Sequence, residues 1–282
     1  MTSPPVLLLL AYTVAILATA GLGMWVQSAI QLTHTRMQVA MSFVAGLILG
    51  VALYHLIPHS VAQISAPRAL ETAVWWTVVG MLVIVLLLRV FQFHHHGLPE
   101  RADGSQGEQH RHSMRHQSLS WLGVSVGLGM HALTEGAALG ASVRSSLHGS
   151  DEAVLVSFGV FLAIVFHKPL DAYSILGLMR IGGVSQRWAV AGNFGIAMIC
   201  PVGAFLTYWG IGFFGPAEAE VVGRALAFGA GALLCVALSD LLPELQFHGH
   251  DRIFLTASLV AGVSLAYALH YLEHLSLFGS AT

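Results

Sequence analysis

The chain has 282 residues, of which 56% are hydrophobic and only 9% are charged. Soluble domains carry about 25% charged residues, so this composition excludes an ordinary soluble protein. The formal net charge is −2 and no basic stripe occurs, which argues against nucleic acid as a partner. The two cysteines, Cys200 and Cys235, lie in apolar runs and do not indicate a redox compartment.

Apolar runs long enough to cross a bilayer, which takes about 20 residues, recur along the whole chain. Each must be helical, because backbone groups in lipid have to be satisfied within the segment. The prediction is an all-α polytopic membrane protein with eight transmembrane helices, α1 to α8, over residues 5–31, 38–63, 70–92, 119–143, 153–179, 186–212, 220–247 and 252–278. The predicted division is 1–92 for α1–α3, 93–118 for a loop, 119–179 for α4–α5 and 180–282 for α6–α8.

The basic residues predict how the chain is oriented. One set of loop ends carries Arg36, Arg89, Arg101, Arg111, Arg115, Arg180, Arg187 and Arg252, whereas the other carries only Arg68, Arg144 and Arg224. By the positive-inside rule, both termini are expected outside, in the cell (inner) membrane. The N-terminal stretch MTSPPVLLLL lacks the basic flank of a signal peptide, so we interpret it as a retained first helix.

An internal similarity links α2 and α7. LYHLIPHS (53–60) resembles LSDLLPEL (238–245), since both place a proline after an apolar pair and flank it with ionisable groups. The two helices are expected to run in opposite directions through the membrane. This pattern is typical of the inverted repeats of secondary transporters and predicts that α1–α3 repeat as α6–α8. Chance similarity of two short motifs is the alternative.

The predicted cytoplasmic loop at 93–118 is rich in histidine: His94, His95, His96, His110, His112 and His116. Such tracts bind divalent ions weakly and need no fold to do so. We therefore interpret the loop as a metal contact. A solvated loop without that role is the alternative.

Ionisable residues within α4 and α5 indicate a site, because such residues are costly in a membrane. His131 and Glu135 are four residues apart on α4, and His167 and Asp171 are four apart on α5, so each pair shares one helix face. A short connection favours an antiparallel hairpin that faces the pairs toward each other. Two imidazoles and two carboxylates suit Zn²⁺ or a similar ion. A buried, hydrogen-bonded core histidine is the alternative for each histidine.

These motifs resemble the ZIP (Zrt/Irt-like) family of divalent metal transporters over essentially the whole chain. HALTEGAALG is similar to the family pattern on helix 4, HKPLDA lies at the helix-5 position, and HLIPH and DLLPEL resemble helices 2 and 7. The resemblance implies that α1, α4, α5 and α6 carry the ion against a scaffold of α2, α3, α7 and α8.

The chain departs from the family where many members hold a second metal ion. Ala132 replaces an asparagine ligand, Lys168 replaces an acid, and α6 contains no acid. We predict a single transported ion per site, with the Lys168 ammonium paired to Glu135 or Asp171 in place of the second cation. A Lys168 that titrates when metal arrives would couple transport to protons. A lysine that reaches into an aqueous vestibule is the alternative.

Two further polar clusters are expected near the membrane surfaces. An outer vestibule that captures incoming ions is predicted from His55, His59, His270, Glu273 and His274. An inner exit is predicted from Asp240, Glu244, His248 and His250. Interfacial capping is the alternative for both clusters.

The function that follows is uptake of a divalent ion, zinc first, toward the cytoplasm by alternating access. Cd²⁺, Fe²⁺, Mn²⁺ and Co²⁺ suit the same donors. The protein is not expected to be an enzyme, and its partners are the ion and the bilayer, with a homodimer as one option. Two alternatives are a metal sensor or storage protein without transport and an intramembrane zinc hydrolase.

Overall fold

The computed structural model describes residues 4–29, 33–65, 67–92, 109–148, 151–238 and 252–279. The described chain is helical throughout and contains no strand, as the all-α prediction requires. Its long helices are α1 (Pro4–Ala29), α2 (His34–Gly50, Val51–Leu56 and Ile57–Gln63 in succession), α3 (Ala69–Gln92), α4 (Gln109–Ser145), α5 (Asp151–Ile181), α6 (Gln186–Ile211), α7 (Glu218–Val236) and α8 (Arg252–Gly279).

Most helix ends lie close to the predicted ones, with one clear difference; the predicted end of α7, at residue 247, lies outside the described residues. α4 begins at Gln109 rather than at residue 119, so the C-terminal part of the predicted loop is helical. His110, His112 and His116 therefore belong to α4. Polar residues before a span can extend its helix, because the intrahelical hydrogen bonds do not depend on an apolar environment.

Six segments of the described residues are long and apolar enough to cross a membrane: Pro4–Ala29, Thr35–Gln63, Ala69–Leu87, Val156–Ile181, Gln186–Val236 and Ile253–Leu272. The Gln186–Val236 segment contains both α6 and α7. A short turn of 3₁₀ helix, Gly212–Ala217, separates them, and Gly215 there adopts φ 53°, which only glycine accepts readily. The prediction of eight spans stays a prediction.

Small residues bring α4 and α6 into close contact beside the candidate site. A Cβ atom on Gly136 would overlap the carbonyl oxygen of Cys200 and lie 2.8 Å from the amide nitrogen of Ala204. α1 approaches α5 in the same way, because a Cβ on Gly23 would overlap the backbone of Pro169. Close approach at glycine is how helices associate where no water drives them together.

Glycine also pairs the other helices. Gly46 of α2 lies against the backbone of Leu259 in α8, and Gly231 of α7 lies against the backbone of Thr77 in α3. The described helices thus form two sets of close pairs. One set joins α1 with α5 and α4 with α6, and the other joins α2 with α8 and α3 with α7.

The middle of α2 is a π-helical segment, Val51–Leu56, just before Pro58. The N–H of Ile57 donates to the carbonyl of Ala52, five residues earlier. Because Pro58 has no N–H to donate, the wider turn accommodates it without ending the helix. The segment places His55 at the buried contact between α2 and α8.

Candidate metal site

The structure brings the four predicted metal ligands together. His131, Glu135, His167 and Asp171 each offer one donor atom, and these atoms all lie within 4.8 Å of one another. His131, Glu135 and His167 are buried, and the Asp171 side chain keeps 23% of its surface exposed. A divalent ion with bonds of about 2 Å to each ligand fits within such a separation.

Glu135 lies at the centre of this cluster. Nε2 of His131 is 2.5 Å from Oε1 of Glu135, and Nε2 of His167 contacts the same oxygen. The Lys168 ammonium donates to the other carboxylate oxygen, Oε2, at 2.6 Å. Residues from two helices therefore converge on one carboxylate group that has no access to water.

The hydrogen bonds of the two histidines favour a cation at this point. Nδ1 of His167 lies 2.6 Å from the carbonyl of Ala163, which can only accept, so this nitrogen carries the proton. Nε2 of His167 contacts Oε1 of Glu135, and two acceptor atoms can lie this close only with a proton or a metal ion between them. Nδ1 of His131 is buried without a hydrogen-bond partner, whereas Nε2 faces the Glu135 carboxylate. The unpartnered Nδ1 differs from the core-histidine alternative, which expected both ring nitrogens to be hydrogen-bonded.

Lys168 is 4% exposed and lies within the same group of charges. Its ammonium nitrogen is 2.6 Å from Glu135 and 3.8 Å from Oδ2 of Asp171. The predicted ion pair is therefore present, and little of the lysine side chain is accessible to water. Glu135 holds the ammonium inside, because two opposite charges at this distance compensate part of each other's desolvation.

The α6 side of the site provides no charge. Ala132 on α4 is buried and carries no donor. Asn193, a buried polar residue of α6, donates a hydrogen bond through Nδ2 to the carbonyl of Ala172 in α5 at 2.6 Å. Its amide therefore holds α6 against α5.

The site lies between a sealed region and a cavity. On the side toward the C-terminal half of α4, Leu139, Ile164 and Ala204 are fully buried in one apolar cluster. On the other side, Lys168 and Asp171 line a small cavity with residues of α1, α4 and α6, among them Ala20, Leu128 and Asn193. The cavity is a feature that sequence analysis missed, since no local pattern predicts where four helices leave a gap.

Three of the five residues predicted for the outer vestibule lie near one another, between α2 and α8. The rings of His55 and His270 have centroids 5.8 Å apart, and Nε2 of His55 lies 3.0 Å from the carbonyl of Ala266. His59 bonds through Nδ1 to the carbonyl of His55 at 3.2 Å. The backbones of Glu273 and His274 belong to α8, but their side chains are outside the described part of the structure. The two helices thus bring three of the five residues to one region.

The remaining predicted residues lie outside the described residues. They are the exit group, Asp240, Glu244, His248 and His250, and the loop histidines His94, His95 and His96. For His110, His112 and His116, only the helical backbone is described.

A second ionic contact, which sequence analysis did not single out, joins the ends of α4 and α7. Arg144 donates from Nε to Oε1 of Glu218 at 2.5 Å and from a terminal nitrogen to Oε2 at 3.0 Å. The guanidinium also lies over the ring of Tyr208, 5.1 Å from its centroid. The sequence did contain a signal for this contact, because Arg144 and Glu218 lie at helix ends on the same predicted side of the membrane.

The structure combines several membrane-length helices with imidazole and carboxylate groups buried between them. This combination is typical of membrane proteins that handle a metal ion inside the bilayer. The family model described as ZIP Zinc transporter matches residues 90–270, which is more than half of the chain and includes all four clustered residues. The protein therefore belongs to the ZIP zinc transporter family, and the resemblance found in its sequence is confirmed.

Curated relatives agree with this family. The chain is 29% identical to zinc transporter ZIP9 of Xenopus tropicalis over 154 residues, which are 52% of this chain and 49% of that protein. It is 30% identical to zinc transporter ZIP9 of Macaca fascicularis over 130 residues, 45% of this chain and 53% of that protein. It is 26% identical to zinc transporter foi of Drosophila melanogaster over 203 residues, 70% of this chain and 26% of that protein. The chain spans about half the length of these ZIP9 relatives.

Proposed function

We propose that this protein transports a divalent metal ion, zinc first, toward the cytoplasm by alternating access through one intramembrane site. The observation that carries the proposal is the convergence of His131, Glu135, His167 and Asp171, whose donor atoms lie within 4.8 Å of one another between two helices. Four such donors replace the water shell that the ion loses on entering the membrane.

The chemistry of the donors supports zinc and its neighbours as cargo. Imidazole nitrogen and carboxylate oxygen bind Zn²⁺ well and release it more readily than thiolates do. The relatives are named as zinc transporters, which favours zinc among the candidates. Cd²⁺, Fe²⁺, Mn²⁺ and Co²⁺ are further cargo ions that the same donor set accepts. Ala132 and Lys168, which supply no ligand, favour one ion per site.

The helix pairs support an inverted repeat. In the proposed repeat, α1, α2 and α3 correspond to α6, α7 and α8, and α4 corresponds to α5. Exchanging each helix for its counterpart turns the α1–α5 pair into the α6–α4 pair. The same exchange turns the α2–α8 pair into the α7–α3 pair. The π-helical conformation of α2 also has a counterpart, since residues 237 and 238 are π-helical and align with 52 and 53 in the two similar motifs. Inverted repeats place the substrate at their interface near the membrane centre.

We place both termini outside the cell (inner) membrane, with eight spans and the 93–118 segment in the cytoplasm. The segment Gln186–Val236 then supplies two spans, since its helix is interrupted at Gly215. α4 supplies one more. The outer vestibule and the inner exit keep their proposed roles at the two ends of the route, and the homodimer stays a prediction.

The two alternative functions fit this site less well. A zinc hydrolase needs a free acid or base beside a metal-bound water. Glu135, the predicted base, is in contact with two imidazoles and the Lys168 ammonium. A sensor or storage protein would keep the ion, and the cavity beside Lys168 and Asp171 instead provides space on one side of the site.

Zinc uptake into proteoliposomes tests the proposal. His131→Ala and Glu135→Gln each remove a donor and are expected to lower uptake at least tenfold, because even the loss of a residue that only orients a metal ligand costs about 10–100-fold. Glu220→Gln is the matched control, because this carboxylate pairs with Arg224 within an exposed turn of α7 and should leave uptake unchanged. Zinc binding without uptake by the wild-type protein would favour the sensor, and turnover of a lipid or peptide would favour the hydrolase.

A further inference from the structure

We propose that Lys168 is a substitute cation: its ammonium neutralises Glu135 after the metal ion has left, and so allows the empty transporter to reorient. The inference rests on the proposed function and adds a step to it. Alternating access requires the site to cross the membrane empty as well as loaded. The ammonium nitrogen lies 2.6 Å from Glu135, close enough to neutralise this carboxylate when no ion is bound.

The charges in the site show why a permanent cation matters. With neutral imidazoles, the two carboxylates and the ammonium give the empty site one negative charge. A divalent ion converts this to one positive charge. The cost of taking a charge out of water grows with the square of the charge, so the loaded and empty sites meet barriers of similar size.

A neutral residue at this position changes that balance. The loaded site would then carry no net charge, but the empty site would carry two negative charges. Reorientation of the loaded protein would become easier and reorientation of the empty protein much harder. Net transport needs both steps, whereas exchange of one metal ion for another needs only the loaded one.

The geometry allows the ammonium to follow the ion. Lys168 Nζ is 2.6 Å from Glu135 and 3.8 Å from Asp171, so a small rotation moves it between the two carboxylates. Lys168 and Asp171 both line the cavity, on the opposite side of the site from the sealed cluster around Leu139 and Ile164. An ion that moves into this cavity leaves Glu135 to the ammonium.

The position of Lys168 keeps it available in every cycle. The side chain is 5% exposed, and its stem comes from the residue next to His167 on α5. The ammonium therefore moves together with the site and cannot be lost to water. A cation from solution would have to enter the sealed protein each time, whereas a tethered one acts at a high effective concentration.

Two measurements on the purified protein in proteoliposomes separate this role from a purely structural one. Net zinc uptake into metal-free vesicles requires return of the empty protein. Exchange of external radioactive zinc for internal zinc does not. For Lys168→Gln we expect net uptake to fall at least tenfold, the order expected when a buried carboxylate loses its partner, with exchange within about twofold of wild type.

Lys168→Arg is the matched control, because it keeps the charge and should retain both net uptake and exchange. Lys168→Met provides a second neutral side chain, and thermal unfolding in detergent shows which variants are folded. Equal loss of net uptake and exchange in a folded neutral variant would overturn the substitute-cation role, as would net uptake at the wild-type rate. If the wild-type protein itself shows neither uptake nor exchange, the proposed function fails, and this inference fails with it.

Discussion

The contact between α4 and α6 predicts opposite effects for two glycine-to-alanine substitutions. A Cβ on Gly136 would overlap the carbonyl of Cys200 and lie 2.8 Å from the amide nitrogen of Ala204, so the two helices must move apart. Gly195, also on a membrane helix, has nothing within 4 Å of the same position. The same added methyl group therefore meets backbone at one site and open space at the other.

The magnitudes follow from two opposing effects. Overpacking costs about 1–3 kcal/mol, because backbone atoms cannot rotate away as a side chain does. Alanine in place of glycine within a helix contributes up to about 1 kcal/mol in the stabilising direction. Gly136→Ala should therefore destabilise the protein by up to about 2 kcal/mol, whereas Gly195→Ala should stabilise it by up to about 1 kcal/mol.

Thermal unfolding of the two purified variants in the same detergent compares them directly, and zinc uptake gives a second measurement. Gly136 directly follows Glu135 in α4, so separation of α4 from α6 also displaces a predicted metal ligand. We expect Gly136→Ala to lower both the unfolding temperature and uptake, with Gly195→Ala as the control. A Gly136→Ala protein as stable as the Gly195→Ala protein would refute the close approach of the two helices.

Two further predictions concern charged contacts. Arg144 and Glu218 form a two-pronged ion pair whose side chains are only 17% and 14% exposed. A double-mutant cycle with Arg144→Gln and Glu218→Gln, measured by thermal unfolding, should give a coupling energy of about 1–3 kcal/mol, and additive effects would contradict the contact. At the candidate metal site, titration calorimetry of a chain whose loop histidines are replaced by alanine should show one zinc ion per chain. Lys168→Glu should raise this number, and two ions per wild-type site would refute the single-ion prediction.

Much of the site could be predicted from helical periodicity. The four-residue spacing of His131 and Glu135, and of His167 and Asp171, places each pair on one face whatever the rest of the chain does. The cost of ionisable groups in a membrane then identifies them as functional candidates. Most helix ends were also predictable, because the apolar runs have the length of a span. The start of α4 was not, since Gln109 lies in a polar segment that carries no such limit.

The sequence alone also left the state of Lys168 open between an ion pair and a side chain that reaches water. The choice depends on what surrounds the residue, and in the structure both Glu135 and Asp171 lie within 4 Å of its ammonium. The hydrogen bond from His167 to Ala163 was likewise open, because the alternatives for a buried histidine differ only in its neighbours.

The sequence by itself determined the class of protein, the helices and the four candidate donors, because composition and periodicity are local properties of the chain. Only the tertiary structure decided that Glu135 is the common contact of two imidazoles and one ammonium, and that a cavity adjoins Lys168. Those features depend on the distances between helices. Glycine and alanine residues far apart in the chain set these distances, and only the packed protein shows which of them meet.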